Sequence, residues 1–245
     1  MKDNTKRFSD RVANYAKYRP TYPEAVIDYI AGDFRVTERS EIADVGSGTG
    51  IFTALLAARC GRIYAVEPNA EMRAESETRL RDVASFVSVN GTAESTTLKD
   101  KSVDFITVAQ AVHWFDFAKT RVEFSRILKD RGRVFLVWNK RLNDTEFMRR
   151  YESILRADIP EYGEVNHNNV TDEMLQEFLD RDFSARKFQN AQLHDWSGLI
   201  GRFRSSSYTP SESSAAYAAI EARLRSSFDE CANDGLISFD YETRS

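Results

Sequence analysis

Short apolar runs alternate along this chain with longer stretches whose apolar residues recur at helical spacing. The runs are Ile42-Ala43-Asp44-Val45, Ile63-Tyr64-Ala65-Val66, Phe86-Val87-Ser88-Val89, residues 103–108 and residues 133–138. Strands buried on both faces read this way, as continuous apolar segments without polar alternation. Between them, Ile51, Phe52, Leu55 and Leu56 repeat at helical period, as do Phe117, Phe124, Ile127 and Leu128. Another helix is predicted over 70–83, where Asn69 can cap its first turn. Strands separated by helices predict a parallel sheet with crossover helices.

Ahead of the first strand, residues 8–18 predict a short helix that Arg19-Pro20-Thr21-Tyr22-Pro23 ends. Proline keeps the residue before it out of helical geometry. A helix over 24–30 places Val26, Ile27 and Ile30 on one face. Beyond Asn139, Asp144 can cap a helix carrying Phe147, Met148, Tyr151, Ile154 and Leu155, and Thr171 one carrying Met174, Leu175, Phe178 and Leu179. The polar stretch 158–169 between them predicts a loop. A sixth strand within 183–193, a helix marked by Tyr217, Ile220, Leu224 and Phe228, and a last strand over 236–241 follow. One domain is expected, with a helical cap (1–35), a core (36–139), a helical lid insertion (140–182) and closing strands and helices (183–245).

The composition adds exclusions. With 245 residues, 42% apolar and 29% charged, the chain is an ordinary globular protein. A net charge of −4 offers no general attraction to a phosphate backbone, so no nucleic-acid partner is expected. Cys60 and Cys231 form neither a disulfide framework nor a metal-ligand spacing, and no metal is expected. The charged start and the absence of eighteen consecutive apolar residues predict a cytoplasmic protein with no membrane partner. Monomer and homodimer both stay open.

Asp44-Val45-Gly46-Ser47-Gly48-Thr49-Gly50 joins the first strand to a helix. Glycines there permit a tight turn, leave backbone open to a ligand, and present the N–H groups of the helix start. The bland alternative is a tight turn that binds nothing. Two observations count against it. The spacing is GxGxG, unlike the GxGxxG of dinucleotide sites. Glu67 ends the adjacent strand, where a carboxylate can accept hydrogen bonds from both hydroxyls of a ribose.

The chain resembles the class I S-adenosylmethionine-dependent methyltransferases. The likeness runs in order over residues 8–140: the glycine motif, Val66-Glu67-Pro68-Asn69-Ala70-Glu71-Met72, Gly91-Thr92-Ala93-Glu94, the strand ending at Gln110, and Ile127-Leu128-Lys129-Asp130-Arg131-Gly132-Arg133. The segments at 15–23, His113-Trp114-Phe115 and Ser205-Ser206-Ser207-Tyr208 are similar to the branch that holds the trans-aconitate and cantharidin methyltransferases. The resemblance implies an α/β, Rossmann-like sheet of seven mostly parallel strands, the last antiparallel, with helical lid insertions. It implies more chain after Gly235 than remains here to complete that last strand.

It also implies S-adenosylmethionine as cofactor. Gly46, Ser47, Gly48, Thr49 and Gly50 would lie against its methionine portion, with Asp44 at the ammonium and Arg19 at the carboxylate. Glu67 would take the ribose. Pro68, Asn69 and Met72 would flank the adenine, Ala93 and Glu94 would meet its edge, and Gln110 would face the transferring methyl. Tyr15, His113, Trp114 and Phe115 would build the acceptor pocket, and His113 is a candidate base. The expected activity is methyl transfer to a small molecule, with a carboxylate as one candidate. Lys140, Arg141, Arg149, Arg150, Arg202 and Arg204 are the cations that could grip an acid. The rival readings are a non-catalytic S-adenosylmethionine-binding regulator and an NAD-type oxidoreductase on the same sheet.

Overall fold

The computed structural model describes residues 12–160, 162–165, 171–179 and 183–245. Its strands are β1 (Glu41–Val45), β2 (Arg62–Val66), β3 (Phe86–Val89), β4 (Val103–Ala109), β5 (Leu128–Arg141), β6 (Lys187–His194) and β7 (Ile237–Arg244). They form one sheet in the order β3-β2-β1-β4-β5-β7-β6. β1 runs parallel to both β2 and β4, and β7 runs antiparallel to both β5 and β6. This is the Rossmann-like class I arrangement expected from the sequence. Strand order reverses between β1 and β4, so a crevice opens at the carboxyl ends of those two strands.

The apolar runs fold as strands because both faces are covered. Ile42 and Ile63 point to one side, into a core with Val26, Ile27 and Ile30 of helix α2 (Glu24–Asp33) and Phe52 and Leu56 of α3 (Ile51–Ala57). Ala43 and Val45 point to the other, toward Phe124 and Ile127 of α5 (Phe117–Ile127) and Phe178 of α8 (Asp172–Leu179). Each such side chain taken fully out of water contributes about 1.5–3 kcal/mol. A third core joins β7 to α6 (Glu146–Asp158), α9 (Trp196–Arg204) and α10 (Ala215–Cys231) through residues such as Leu155, Phe203, Leu224 and Phe239. Of the described helices, none is long and apolar enough to cross a membrane.

Several local expectations are corrected. The helix foreseen from residue 8 is described only as α1 (Val12–Tyr18), and its first residues lie outside the described set. α4 (Ala70–Leu80) stops short of 83, although Asn69 does cap it, accepting from the Met72 N–H at 2.8 Å. Thr145, not Asp144, caps α6, accepting from the Met148 N–H. The stretch foreseen as a loop contains α7 (Tyr162–Val165), while 166–170 lie outside the described residues. α9 was not foreseen. β7 runs three residues past the predicted end at 241 and pairs with β6 over all eight of its residues.

β7 meets β5 only from Trp138 to Arg141. Beyond that contact a groove of about 1050 Å³ follows the outer edge of β5, past Phe34, Phe135, Leu136 and Phe178. It is the larger of the two cavities described here, yet it lies away from the strand ends where the glycine turn and its carboxylates converge.

Candidate functional site

The turn after β1 is pinned to the end of β2. Gly46 and Ser47 both donate their N–H groups to the Val66 carbonyl, at 2.9 and 3.2 Å. Gly46 holds φ +72°, and a Cβ on it would stand 2.5 Å from the Ala111 Cβ, so the loop after β4 packs directly on glycine backbone. Glu67 ties this turn to α4. Its Oε2 accepts from the Gly48 N–H at 2.9 Å and its Oε1 from the Asn69 N–H at 2.8 Å. The carboxylate is buried, and burial raises its pKa against the pull of those two N–H groups.

Asp44 lies deeper. It has no solvent exposure, and its two oxygens accept from Thr53 Oγ1 at 2.6 Å and Thr107 Oγ1 at 2.9 Å. Burial pushes its pKa up to about 6 against those hydroxyl bonds. A buried carboxylate offers roughly four lone-pair directions, so both Asp44 and Glu67 keep acceptor capacity for a ligand.

One cavity opens over these groups. Asp44, Gly46, Ser47, Gly48, Thr49, Glu67, Pro68, Asn69, Met72, Ala93, Glu94 and Gln110 line it, together with Tyr15, Arg19, His113, Trp114 and Phe115. Gly50 does not. It caps α3 at φ +75°, and a Cβ there would meet Ser76 at 3.0 Å and Leu80 at 3.2 Å, so its bareness serves the contact of α3 with α4. Glu94 is not wholly free for a ligand, since its Oε1 accepts from the Asp116 N–H at 2.9 Å. Gln110 sits in the left-handed region at φ +58° and donates Nε2 to the Asn139 carbonyl at 3.2 Å, which turns its amide oxygen away from that carbonyl.

The far wall comes from the ends of the chain. α1 lies between α4 and α9: Arg79 donates to the Ala16 carbonyl at 3.1 Å, and the Tyr18 ring rests on Gly201. Arg19 follows, its guanidinium 4.8 Å from the Tyr15 ring and donating to the Ser205 carbonyl at 3.1 Å. Arg202, Ser207, Tyr208 and Tyr241 complete the wall. Of the six cations singled out in the sequence, only Arg202 reaches the cavity. Arg149, Arg150 and Arg204 form outer ion pairs, and the buried Arg141 pairs with Glu152 at 2.6 Å. Tyr22, Asn139 and Tyr241 also line the cavity and were not foreseen. A tyrosine or asparagine inside an apolar strand or turn carries no local mark of a site.

His113 lies between Trp114 and Trp138, ring centroids 4.4 and 5.3 Å away. Burial, helped by the Arg19 charge, lowers its pKa to about 4. Its Nδ1 is buried without a hydrogen-bond partner among the described residues, as are Ser47 Oγ, Thr49 Oγ1 and Arg19 Nε. Buried polar atoms left in this state, all around one cavity, are what a polar ligand would satisfy.

The sequence profile of the methyltransferase domain matches residues 43–136, which span β1 to β5 and the whole turn. Residues 43–136 are a class I methyltransferase domain. S-adenosylmethionine is the cofactor of that domain. A methyltransferase-like protein of Schizosaccharomyces pombe is 34% identical over 161 residues, 64% of this chain and 62% of its own. A methyltransferase of Mycobacterium tuberculosis is 35% identical over 157 residues, again 64% and 62%. The chain thus spans about 62% of the length of these relatives. Among solved structures, a provisionally assigned type II methyltransferase from Anaeromyxobacter dehalogenans superposes with a TM-score of 0.64 at 21% identity, covering 92% of this chain and 95% of that one. At that identity the likeness speaks for the fold of the methyltransferase domain and its surroundings.

The residues present fit this cofactor. Residues 43–136 offer a cradle without side chains at Gly46 and Gly48 and two buried carboxylates for cationic or hydroxyl groups, and Arg19, ahead of them in the chain, adds a guanidinium whose Nε has no partner among the described residues.

Proposed function

We propose that the protein transfers the methyl group of S-adenosylmethionine to a small organic acid, on a carboxylate oxygen. The observation that carries this is Arg202. It is 2% exposed, lines the cavity beside Arg19, and pairs with no carboxylate among the described residues. A guanidinium stays protonated, and a planar fork of donors suits a carboxylate. An acid acceptor also accords with the resemblance of segments 15–23 and 205–208 to the trans-aconitate branch.

In this reading the backbone of residues 46–49 holds the methionine portion, Asp44 its ammonium and Arg19 its carboxylate. Glu67 takes the ribose hydroxyls. Pro68, Asn69 and Met72 flank the adenine, and Ala93 and Glu94 meet its edge. Bound, the cofactor supplies a sulfonium methyl already activated for displacement. The chain's own work is to align the acceptor oxygen with that methyl and to exclude water, and positioning of this kind supplies much of a rate enhancement. Tyr15, Trp114 and Phe115 wall the acceptor, and Gln110 stands at the transfer end.

His113 argues for the acid over a neutral hydroxyl acceptor. A base whose conjugate acid has a pKa of about 4 takes a proton from a phenol of pKa about 10 only at a cost of roughly 8 kcal/mol. A carboxylate arrives ionised and needs no base. The test is transfer of labelled methyl from the cofactor to a pool of small organic acids, read by mass. A product whose label is released by mild alkali, as a methyl ester's is, supports the proposal. Label held on nitrogen, carbon or an ether oxygen would overturn it.

A further inference from the structure

Beside the cavity, buried cations outnumber the carboxylates that could balance them. Arg141 and Arg202 are 1% and 2% exposed, and Arg19 is half-buried next to them. Glu152 is the only carboxylate paired into this cluster among the described residues, and it is shared: Oε2 meets Arg141 at 2.6 Å and Oε1 meets the exposed Arg156 at 2.8 Å. The Tyr162 hydroxyl already donates to Glu152 Oε2 at 2.5 Å. Among the described residues, Arg19 and Arg202 therefore pair with no carboxylate. Arginine cannot discharge by losing a proton, and an uncompensated buried charge costs several kcal/mol.

Tyr208 stands where a compensating charge is needed. Its ring packs edge-on to Tyr162 with centroids 4.9 Å apart, its hydroxyl is buried, and the Ser206 hydroxyl is its hydrogen-bonding neighbour. Arg19, from the segment after α1, donates to the Ser205 carbonyl at 3.1 Å and Arg202 of α9 to Ser206 Oγ at 3.0 Å, so both guanidiniums stand against the turn that carries Tyr208, and Arg141 of β5 donates to the hydroxyl of the Tyr162 that packs on its ring, at 2.5 Å. We propose that Tyr208 is the missing counter-ion, a phenolate facing the cavity. The phenol O–H bond breaks, the proton leaves to solvent through the cavity the residue lines, and the charge stays on the oxygen among the three guanidiniums.

Other groups face the cluster and are less suited. Tyr151 of α6 lies under the Arg141 guanidinium at 5.0 Å, but burial and the neighbouring Tyr208 drive its pKa far up. Tyr162 of α7 is raised by burial and by Glu152. Tyr241 of β7 faces Arg202 and Arg19, and Tyr15 of α1 faces Arg19. For Tyr208 burial also acts upward, yet Arg141, Arg202, the hydrogen bond from Ser206 and Arg19 together outweigh it and hold the phenol below its ordinary value.

One consequence rests on the acid reading of the acceptor. A carboxylate entering the cavity would compete with the phenolate for Arg202 and Arg19, and Tyr208 would take a proton back from solvent as it binds. Acceptor affinity would then fall as pH rises through the phenol's titration.

The experiment needs no acceptor, so its outcome is separate from that of the acid reading. The whole protein is titrated with base while the ultraviolet absorbance of tyrosinate is followed. One of its ten tyrosines should ionise ahead of the rest, below the ordinary tyrosine pKa of about 10. That early step should vanish in Tyr208→Phe and move to higher pH in Arg202→Gln. Coincident curves for wild type and a folded Tyr208→Phe would overturn the proposal, as would an early step unmoved by Arg202→Gln. If Tyr208→Phe does not fold, carbon-13 labelling of the tyrosine rings reads the same state in wild type. One ring-carbon signal that moves to its ionised position ahead of the other nine as base is added supports the phenolate, and ten signals that move together refute it.

Discussion

The ring of Tyr18 occupies the space into which a side chain on Gly201 would project. A Cβ at that glycine would lie 2.3 Å from Cε2 and 2.4 Å from Cζ of the tyrosine. Gly201 sits inside α9, where alanine ordinarily gains up to about 1 kcal/mol of helix propensity. Overpacking costs about 1–3 kcal/mol, so the collision wins. Gly201→Ala should push α1 off α9, carry Tyr15 and Arg19 out of place, and weaken binding of S-adenosylhomocysteine measured by calorimetry. Unchanged affinity would mean that α1 does not form a wall of the cofactor site.

Glu67→Gln separates two duties of one carboxylate. Glutamine offers one acceptor oxygen, so either Gly48 N–H or Asn69 N–H loses its partner. An unsatisfied buried donor costs about 1–3 kcal/mol, which thermal unfolding will register. Loss of a charge-assisted bond to the ribose should weaken cofactor binding by about 1.5–3 kcal/mol, roughly 10- to 150-fold. A variant with a lowered melting temperature and unaltered affinity would confine Glu67 to a structural role.

Asp44 predicts a pH dependence with a definite sign. Its pKa rises from the model-peptide value of 3.8 to about 6 in the folded chain. The native state therefore binds the proton more tightly than the unfolded one. The stability this contributes is fully present below pH 3.8, and it is lost as pH rises through about 6. A cationic ammonium beside Asp44 favours its ionised form, so cofactor binding should expel a proton in acid. Affinity for S-adenosylmethionine should then fall about tenfold per unit below that pH, and Asp44→Asn should flatten the profile. A flat profile in wild type would place the ammonium elsewhere.

His113 shifts the other way, down to about 4. Its neutral form is favoured by folding, so the stability it contributes is present above the unfolded value of about 6.5 and fades as pH falls through the folded pKa. Methyl transfer should show no step near pH 6.5, and His113→Asn should keep turnover within about tenfold. A variant that loses nearly all turnover while binding the cofactor as before would decide for a base-dependent acceptor.

The parts of the fold that could be read in advance are those with local causes. Continuous apolar runs mark strands covered on both faces, and GxGxG with a trailing carboxylate marks the crevice between β1 and β2. α9 was hidden because two glycines lower its intrinsic helicity and two arginines interrupt its apolar pattern. It forms because Asp195 caps it and Leu199, Ile200 and Phe203 are buried by partners distant in sequence. Asp144 and Thr145 are both good caps one residue apart, and only the packing of Phe147 and Met148 selects between them. Arg202 reads as a surface cation by composition. It lines the cavity with Tyr208 and Tyr241, which no spacing rule brings together. Gly50 belongs to the glycine motif by position and to the α3–α4 contact by function.

The two walls of the cavity also differ in when they leave the ribosome. Everything from Asp44 to Phe115 that faces the crevice is synthesised in the first half of the chain, whereas Arg202, Tyr208 and Tyr241 come near its end. Asn139 joins the halves, accepting from Thr243 Oγ1 at 2.5 Å and donating to the Thr21 carbonyl at 3.2 Å. Roughly 125 residues separate Phe115 from Tyr241, about 6–25 s of elongation at typical rates. Through most of that interval a nascent chain lacks Arg202, Tyr208 and Tyr241, and the latch at Asn139 closes only when Thr243 arrives.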